Sequence, residues 1–152
     1  MNEVIEEKDI TKVDTWLLDL QESVCRCFEN IDGDAAFRED IWTKDDQISG
    51  GRTRVLTDGA VFEQVGANFS HVRGNVLPAA ATDARPELEN SRFRAMGVSV
   101  VAHPYNPHVP TSHANVRFFV AERDAGPPLW WFGGGFDPVS YTHLTLPTNR
   151  EV

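Results

Sequence analysis

Three histidines, His103, His108 and His113, recur at five-residue steps in and beside a proline-rich segment. An imidazole titrates near neutral pH, so each could shuttle protons or ligate a metal. The spacing matches no helical metal motif of the His-Glu-x-x-His kind, so it does not define a metal centre by itself. The run Thr111-Ser-His-Ala-Asn-Val-Arg117 is denser in chemistry. On a strand, alternation puts His113, Asn115 and Arg117 on one face and Val116 and Phe118 on the other. That face would present an acid/base group, an amide and a guanidinium in a row; a solvated strand face would read the same way. Asn68 and Ser70 share a strand face by the same rule, with Phe69 and His71 behind them. Trp130-Trp-Phe-Gly-Gly-Gly-Phe-Asp137 closes an apolar run with three glycines and a carboxylate. Glycines let a ligand approach the backbone closely, and a bulge or turn would use the same residues. The run lacks the Gly-Lys-Ser/Thr of a nucleotide phosphate loop.

These groups must be positioned by a chain of 152 residues, 41% hydrophobic and 24% charged, which are globular values. Its apolar runs, such as Val98–Ala102, fall far short of the roughly 20 residues of a membrane span. Cys25 and Cys27 are too few for a disulfide framework or a four-thiolate zinc site, so a reducing, cytoplasmic setting is expected. The net charge of −9 is unevenly spread. Residues 1–50 carry 5 Lys+Arg and 14 Asp+Glu, while residues 51–152 carry 9 of each. The acidic third argues against a nucleic-acid partner. Beyond Gly51 every basic residue is an arginine, which suits planar recognition of carboxylate or phosphate.

Ile10, Val13, Leu17, Leu20, Val24 and Phe28 mark an amphipathic helix over roughly residues 10–29. Thr11 and Asp14 have capping-box-like spacing near its start, and Asn30–Gly33 supplies its stop. Cys25 and Cys27 fall about 200° apart on it and read as packing residues. A short strand is expected within Ala35–Lys44, then a mobile loop over Asp45–Gly51. Arg52–Thr57, Asp58-Gly59 and Ala60–His71 read as a hairpin with a primed turn. Pro78–Arg85 reads as a connector, and Pro86 with Glu87 and Glu89 as the start of a helix through Ala95. Gly97–His103, Ala114–Glu122 and Leu129–Phe132 read as strands. The prolines of His103–Pro110 make that segment irregular, and Asp124–Pro128 reads as a turn. The pattern is α+β with a largely antiparallel sheet.

Five blocks, in order, carry a resemblance: Gly50-Gly-Arg-Thr-Arg-Val-Leu56, Gly59–His71, Met96-Gly-Val-Ser-Val-Val-Ala-His-Pro104, Thr111–Phe119 and Trp130–Asp137. From about residue 11 to 137 the chain resembles the oxygen-dependent coproporphyrinogen III oxidases of the bacterial type. The resemblance implies a flat antiparallel sheet flanked by helices, a homodimer, and an enzyme of haem biosynthesis. Such enzymes oxidatively decarboxylate two propionates of coproporphyrinogen III to vinyl groups, giving protoporphyrinogen IX. Molecular oxygen is the co-substrate, no organic cofactor is needed, and a divalent metal is disputed. By the same resemblance Arg117 binds a substrate carboxylate beside Asn115 and Val116, and Ser99 contacts substrate. His113 is the proton donor and Asp137 hydrogen-bonds pyrrole N–H groups. His103, with His113, falls among the proposed metal histidines.

The resemblance breaks after Asp137. Residues 139–152 have no apolar periodicity and read as one-frame translation of a transposase mosaic-end adapter used in sequencing libraries; a polar native tail is the alternative. Residues 1–138 are then expected to be the N-terminal part of a single oxidase domain, incomplete and inactive alone, with a non-native tail over 139–152. Two rival functions stay open: a non-haem iron oxygenase using His103, His113 and a carboxylate, and a non-catalytic tetrapyrrole-binding module.

Overall fold

The apolar stripe of the first third folds as helix α1 (Glu7–Asp32). Its cap is not the expected Thr11/Asp14 pair. Glu6 is the N-cap, forming a reciprocal capping box with Asp9, while the Thr11 hydroxyl bonds back to the Glu7 carbonyl. The helix therefore starts a turn earlier, where a carboxylate can accept the orphan N–H groups. Gly33 ends it in the left-handed conformation, φ 78°, and returns its N–H to the Glu29 carbonyl. Cys25 is buried in the stripe, whereas Cys27 is exposed, so only the first of the two packs as expected.

The structure is a computed structural model and describes residues 5–44, 49–77, 88, 91–123 and 126–139. After α1 come β1 (Arg38–Thr43), β2 (Gly50–Thr57), β3 (Phe62–Gly74), β4 (Arg92–Pro104), β5 (Thr111–Glu122) and β6 (Leu129–Val139). They form one sheet in chain order, β1 to β6, every neighbour antiparallel. The α+β class with a largely antiparallel sheet is thus the observed one. α1 is its helical partner among the described residues and packs on β3 and β4.

Four local expectations change. Arg92–Ala95, expected as helix, belong to β4, because the Arg-Phe-Arg-Ala alternation pairs them with Val72–Gly74 and Phe119–Glu122. Gly50 and Gly51 start β2 rather than ending a loop. Gly133–Gly135 neither turn nor bulge: they lie within β6 and pair with Asn115, Val116 and Arg117. The β2–β3 connection is also wider than a two-residue primed turn. Asp58 alone takes positive φ, 56°, and the Gly59 N–H bonds the Phe62 carbonyl. Residues 45–48 of the expected mobile loop, the Pro78–Arg85 connector and residues 140–152 lie outside the described residues.

The wider turn is held by Asp32 at the helix end. Its carboxylate accepts N–H bonds from Ala35, Ala60, Val61 and Phe62, at 3.0–3.1 Å. Burial alone would raise its pKa, but the four donors outweigh it and hold the carboxyl far below the usual range. A second pin is Gln21, fully buried on the apolar stripe. Its amide donates to the Arg52 and Ala67 carbonyls, and Arg52 Nε donates back to its oxygen at 2.6 Å. Every polar atom of that side chain is therefore paired, as burial demands.

Around these pins sits the main core: Ile10, Leu17 and Cys25 of α1 against Leu56, Val65, Ala67, Phe69, Met96, Val98, Val100, Phe118 and Val120. On the strands these are alternate residues, so one sheet face is apolar and covered. A smaller cluster of Leu77, Leu88 and Ala121 lies on the reverse face, packed by Phe93, Phe119, Leu129 and Trp131.

Candidate functional site

Register places the sequence-singled polar residues together on that reverse face. Residues opposite one another in paired strands share a face, so three rows run across β3 to β6. One row is Gly66, Val101, His113 and Asp137; the next is Asn68, Ser99, Asn115 and Gly135; the third is Ser70, Gly97, Arg117 and Gly133. Beyond the third row Phe119 stacks on Trp131, ring centroids 5.4 Å apart and planes 10° from parallel. That stack bounds the patch on one side, and a depression of about 230 Å³ lies beside it, lined by Asn68, Ser70, Ser99, Arg117 and Phe119 among others. The Phe119–Trp131 wall was not singled out from sequence, although Phe119 lies two positions after Arg117 on the same alternation.

The arginines divide into two groups. Arg54 pairs with Glu22 and Glu39, Arg52 with Gln21 and the Leu18 carbonyl, and Arg94 with Glu7 and Glu122. These face α1, so the acidity of the N-terminal third neutralises arginines of the sheet instead of leaving them for a ligand. Burial opposes the Arg54 charge, but its bonds to Glu39 and Glu22 keep it firmly protonated. Arg117 differs. It is exposed on the opposite face and makes no hydrogen bond or ion pair with the described residues. Its guanidinium fork is therefore open to solvent, with donors spaced as a carboxylate would need.

His113 is half-buried, and its Nε2 lies 3.2 Å from the Ser99 hydroxyl across the β4–β5 pair. Either group can donate, so the bond fixes the ring while leaving its proton free to move. Asp137, directly across from His113 on β6, is exposed. Val116 points the other way and packs against the main core, so its side chain is not part of this face. His103 is on the face, one row beyond His113, with its Nδ1 3.3 Å from the Thr111 hydroxyl. Each imidazole thus has one ring nitrogen engaged by a hydroxyl. Among the described residues no three His, Cys, Asp or Glu side chains gather as a metal site. Among the described residues His103 and His113 thus stand without the third ligand of a facial triad. His108 sits in the exposed β4–β5 loop and joins nothing here.

This is an α+β protein whose antiparallel sheet gathers on one face an arginine without a partner among the described residues, two amides, an imidazole bonded to a hydroxyl and a carboxylate. No described helix is long and apolar enough to cross a membrane. The family model described as coproporphyrinogen III oxidase matches residues 12–145, and the chain belongs to that family. It is accordingly an oxidoreductase of haem biosynthesis by family, with coproporphyrinogen III as the family's substrate. The matched span begins inside α1 and includes every residue of the three rows.

Proposed function

We propose that this chain holds coproporphyrinogen III on the β3–β6 face for oxygen-dependent decarboxylation of two propionates, as in the bacterial type of the family. The observation that carries the reading is Arg117: a guanidinium without a protein partner among the described residues, beside Asn115 and one strand from Ser99. In this reading Arg117 grips one propionate bidentately and Asn115 supports it. Asp137 accepts hydrogen bonds from pyrrole N–H groups and offsets positive charge that develops on the ring. His113, held by Ser99, moves protons, a role suited to imidazole near pH 7. Each propionate loses a hydrogen from its β-carbon and its carboxyl as carbon dioxide, leaving a vinyl group and releasing two electrons. Two such losses take one oxygen molecule, with four protons, to two waters. Homodimerisation and a cytoplasmic setting belong to the same reading and rest on the family resemblance.

The test titrates the purified chain with coproporphyrinogen III without oxygen, and follows oxygen uptake and carbon dioxide release on an intact homologous chain. Saturable binding is expected in the wild type. Arg117→Ala is expected to weaken it at least about tenfold, the scale of one charge-assisted hydrogen bond. Equal binding by Arg117→Ala would remove the basis of the reading. Binding by that intact chain with neither oxygen uptake nor carbon dioxide release would favour a tetrapyrrole-binding module.

A further inference from the structure

Glycine in a strand interior weakens the strand, so each one needs a reason. For Gly97 and Gly134 the fold supplies it. A Cβ there would come within 2.5 Å of the Val116 and Asn115 carbonyl oxygens respectively. For Gly66 and Gly133 it does not, because an added Cβ would meet no atom within 4 Å. Neither has the positive φ that would otherwise call for glycine. Both lie on the polar face, at opposite corners of the three-row patch: Gly66 in the row of His113, Gly133 directly across from Arg117. Gly135, between Gly133 and Asp137 on the same face, is almost as open, the nearest atom being Asn115 Nδ2 at 4.0 Å. From strand spacing and rise the patch measures about 14 Å in each direction.

We infer that Gly66 and Gly133 are specificity-determining positions, whose bare backbone lets a broad tetrapyrrole ring approach the sheet closely between Arg117 and His113. The inference rests on the tetrapyrrole reading above and adds which residues admit the ring. A methyl group at either corner would hold the ring off the strand by about one carbon–carbon bond, ~1.5 Å. That is enough to forfeit much of the contact over a flat surface and to lengthen the hydrogen bonds to Arg117 and Asp137. A smaller carboxylate that touches Arg117 alone would not feel the change.

The test uses the full 152-residue chain and coproporphyrinogen III, kept reduced without oxygen, as probe. Wild type, Gly66→Ala, Gly133→Ala, Gly133→Val and Arg117→Ala are titrated, and the Tm of each is recorded. The alanine variants are expected to melt at or above the wild-type temperature yet bind at least about tenfold more weakly, and Gly133→Val more weakly still. Wild-type affinity in the glycine variants, with binding lost in Arg117→Ala, would overturn the glycine assignment and leave the ligand reading standing. No binding by the wild type would sink the ligand reading and the inference with it. A large fall in Tm for the alanine variants would also overturn the inference, since it would show that the fold itself requires the bare backbone.

Discussion

The two faces of the sheet treat their arginines in opposite ways. Toward α1 they are paired: Arg52 with Gln21, which also bonds two strand carbonyls, Arg54 with Glu22 and Glu39, and Arg94 with Glu7 and Glu122. On the other side, Arg117 makes no bond to the described residues and the strands are bare at Gly66 and Gly133. Residue type alone does not separate the two roles, since arginine appears in both. The difference lies in what stands opposite. A covered face neutralises its charges because desolvated, unpaired ones are costly. An open face can leave them in water until an anion arrives.

If that contrast is right, substitutions on the α1 side should cost stability without altering ligand contacts, and those on the open side the reverse. The largest stability effect is expected from Leu17→Ala, which empties a fully buried position of the main core. Urea denaturation should register a loss of about 2–5 kcal/mol. A loss well under about 1 kcal/mol would break the comparison, because the covered face would then not be what holds the fold. Next is Gln21→Ala, which removes the side-chain donor from the Arg52 and Ala67 carbonyls and the acceptor from Arg52 Nε, with an expected loss of about 1–3 kcal/mol. Arg117→Ala, measured alongside, should stay within about 0.5 kcal/mol of wild type.

Asp32 sharpens the contrast through pH. Its folded pKa is depressed, so its contribution is complete above the unfolded value, near about 3.9, and is lost as pH falls toward the folded one. Urea midpoints should therefore hold steady from about pH 7 to about 5 and decline below about 4. Asp32→Asn should be less stable at neutral pH and show a flatter acid limb; an unchanged limb would remove Asp32 as its source. The smallest effect belongs to Ser99→Ala. Stability should move by less than about 1 kcal/mol, while the ¹⁵N resonance of His113 Nε2 shifts as its 3.2 Å partner disappears. A resonance that stays in place would mean that Ser99 does not hold the ring.

Much of the site face was legible in the sequence because strand alternation is strict: the His113, Asn115, Arg117 side and the Asn68, Ser70 side both follow from a period of two. The helix was legible for the same kind of reason, its stripe repeating at three and four residues. The helix expected to run through Arg92–Ala95, whose start at Pro86, Glu87 and Glu89 lies outside the described residues, shows where local signals compete. Proline followed by glutamates outweighed the polar–apolar alternation of Arg92–Ala95, yet pairing with both β3 and β5 decides the outcome. The roles of Arg52, Arg54 and Arg94 were not legible, because their long-range pairings with α1 depend on register and helix placement together. Gln21 left a faint trace as the one amide on the apolar stripe between Leu17 and Cys25. Asp32 left none, reading only as part of a helix stop. His103 and His113 were recognisable as chemistry, but whether a third ligand would join them could not be read from spacing.

The sheet's strand order has a consequence for how the chain is made. Each strand pairs with the one synthesised immediately before it, so no pairing must wait for a distant segment to leave the ribosome. α1 and the β3–β4 pair it covers can thus leave the ribosome ahead of Arg117. The newest strand is always the growing border, and among the described residues the last border is β6. Its ladder of outward N–H and C=O groups, beside the exposed rings of Phe132 and Phe136, is a template ready for one more strand.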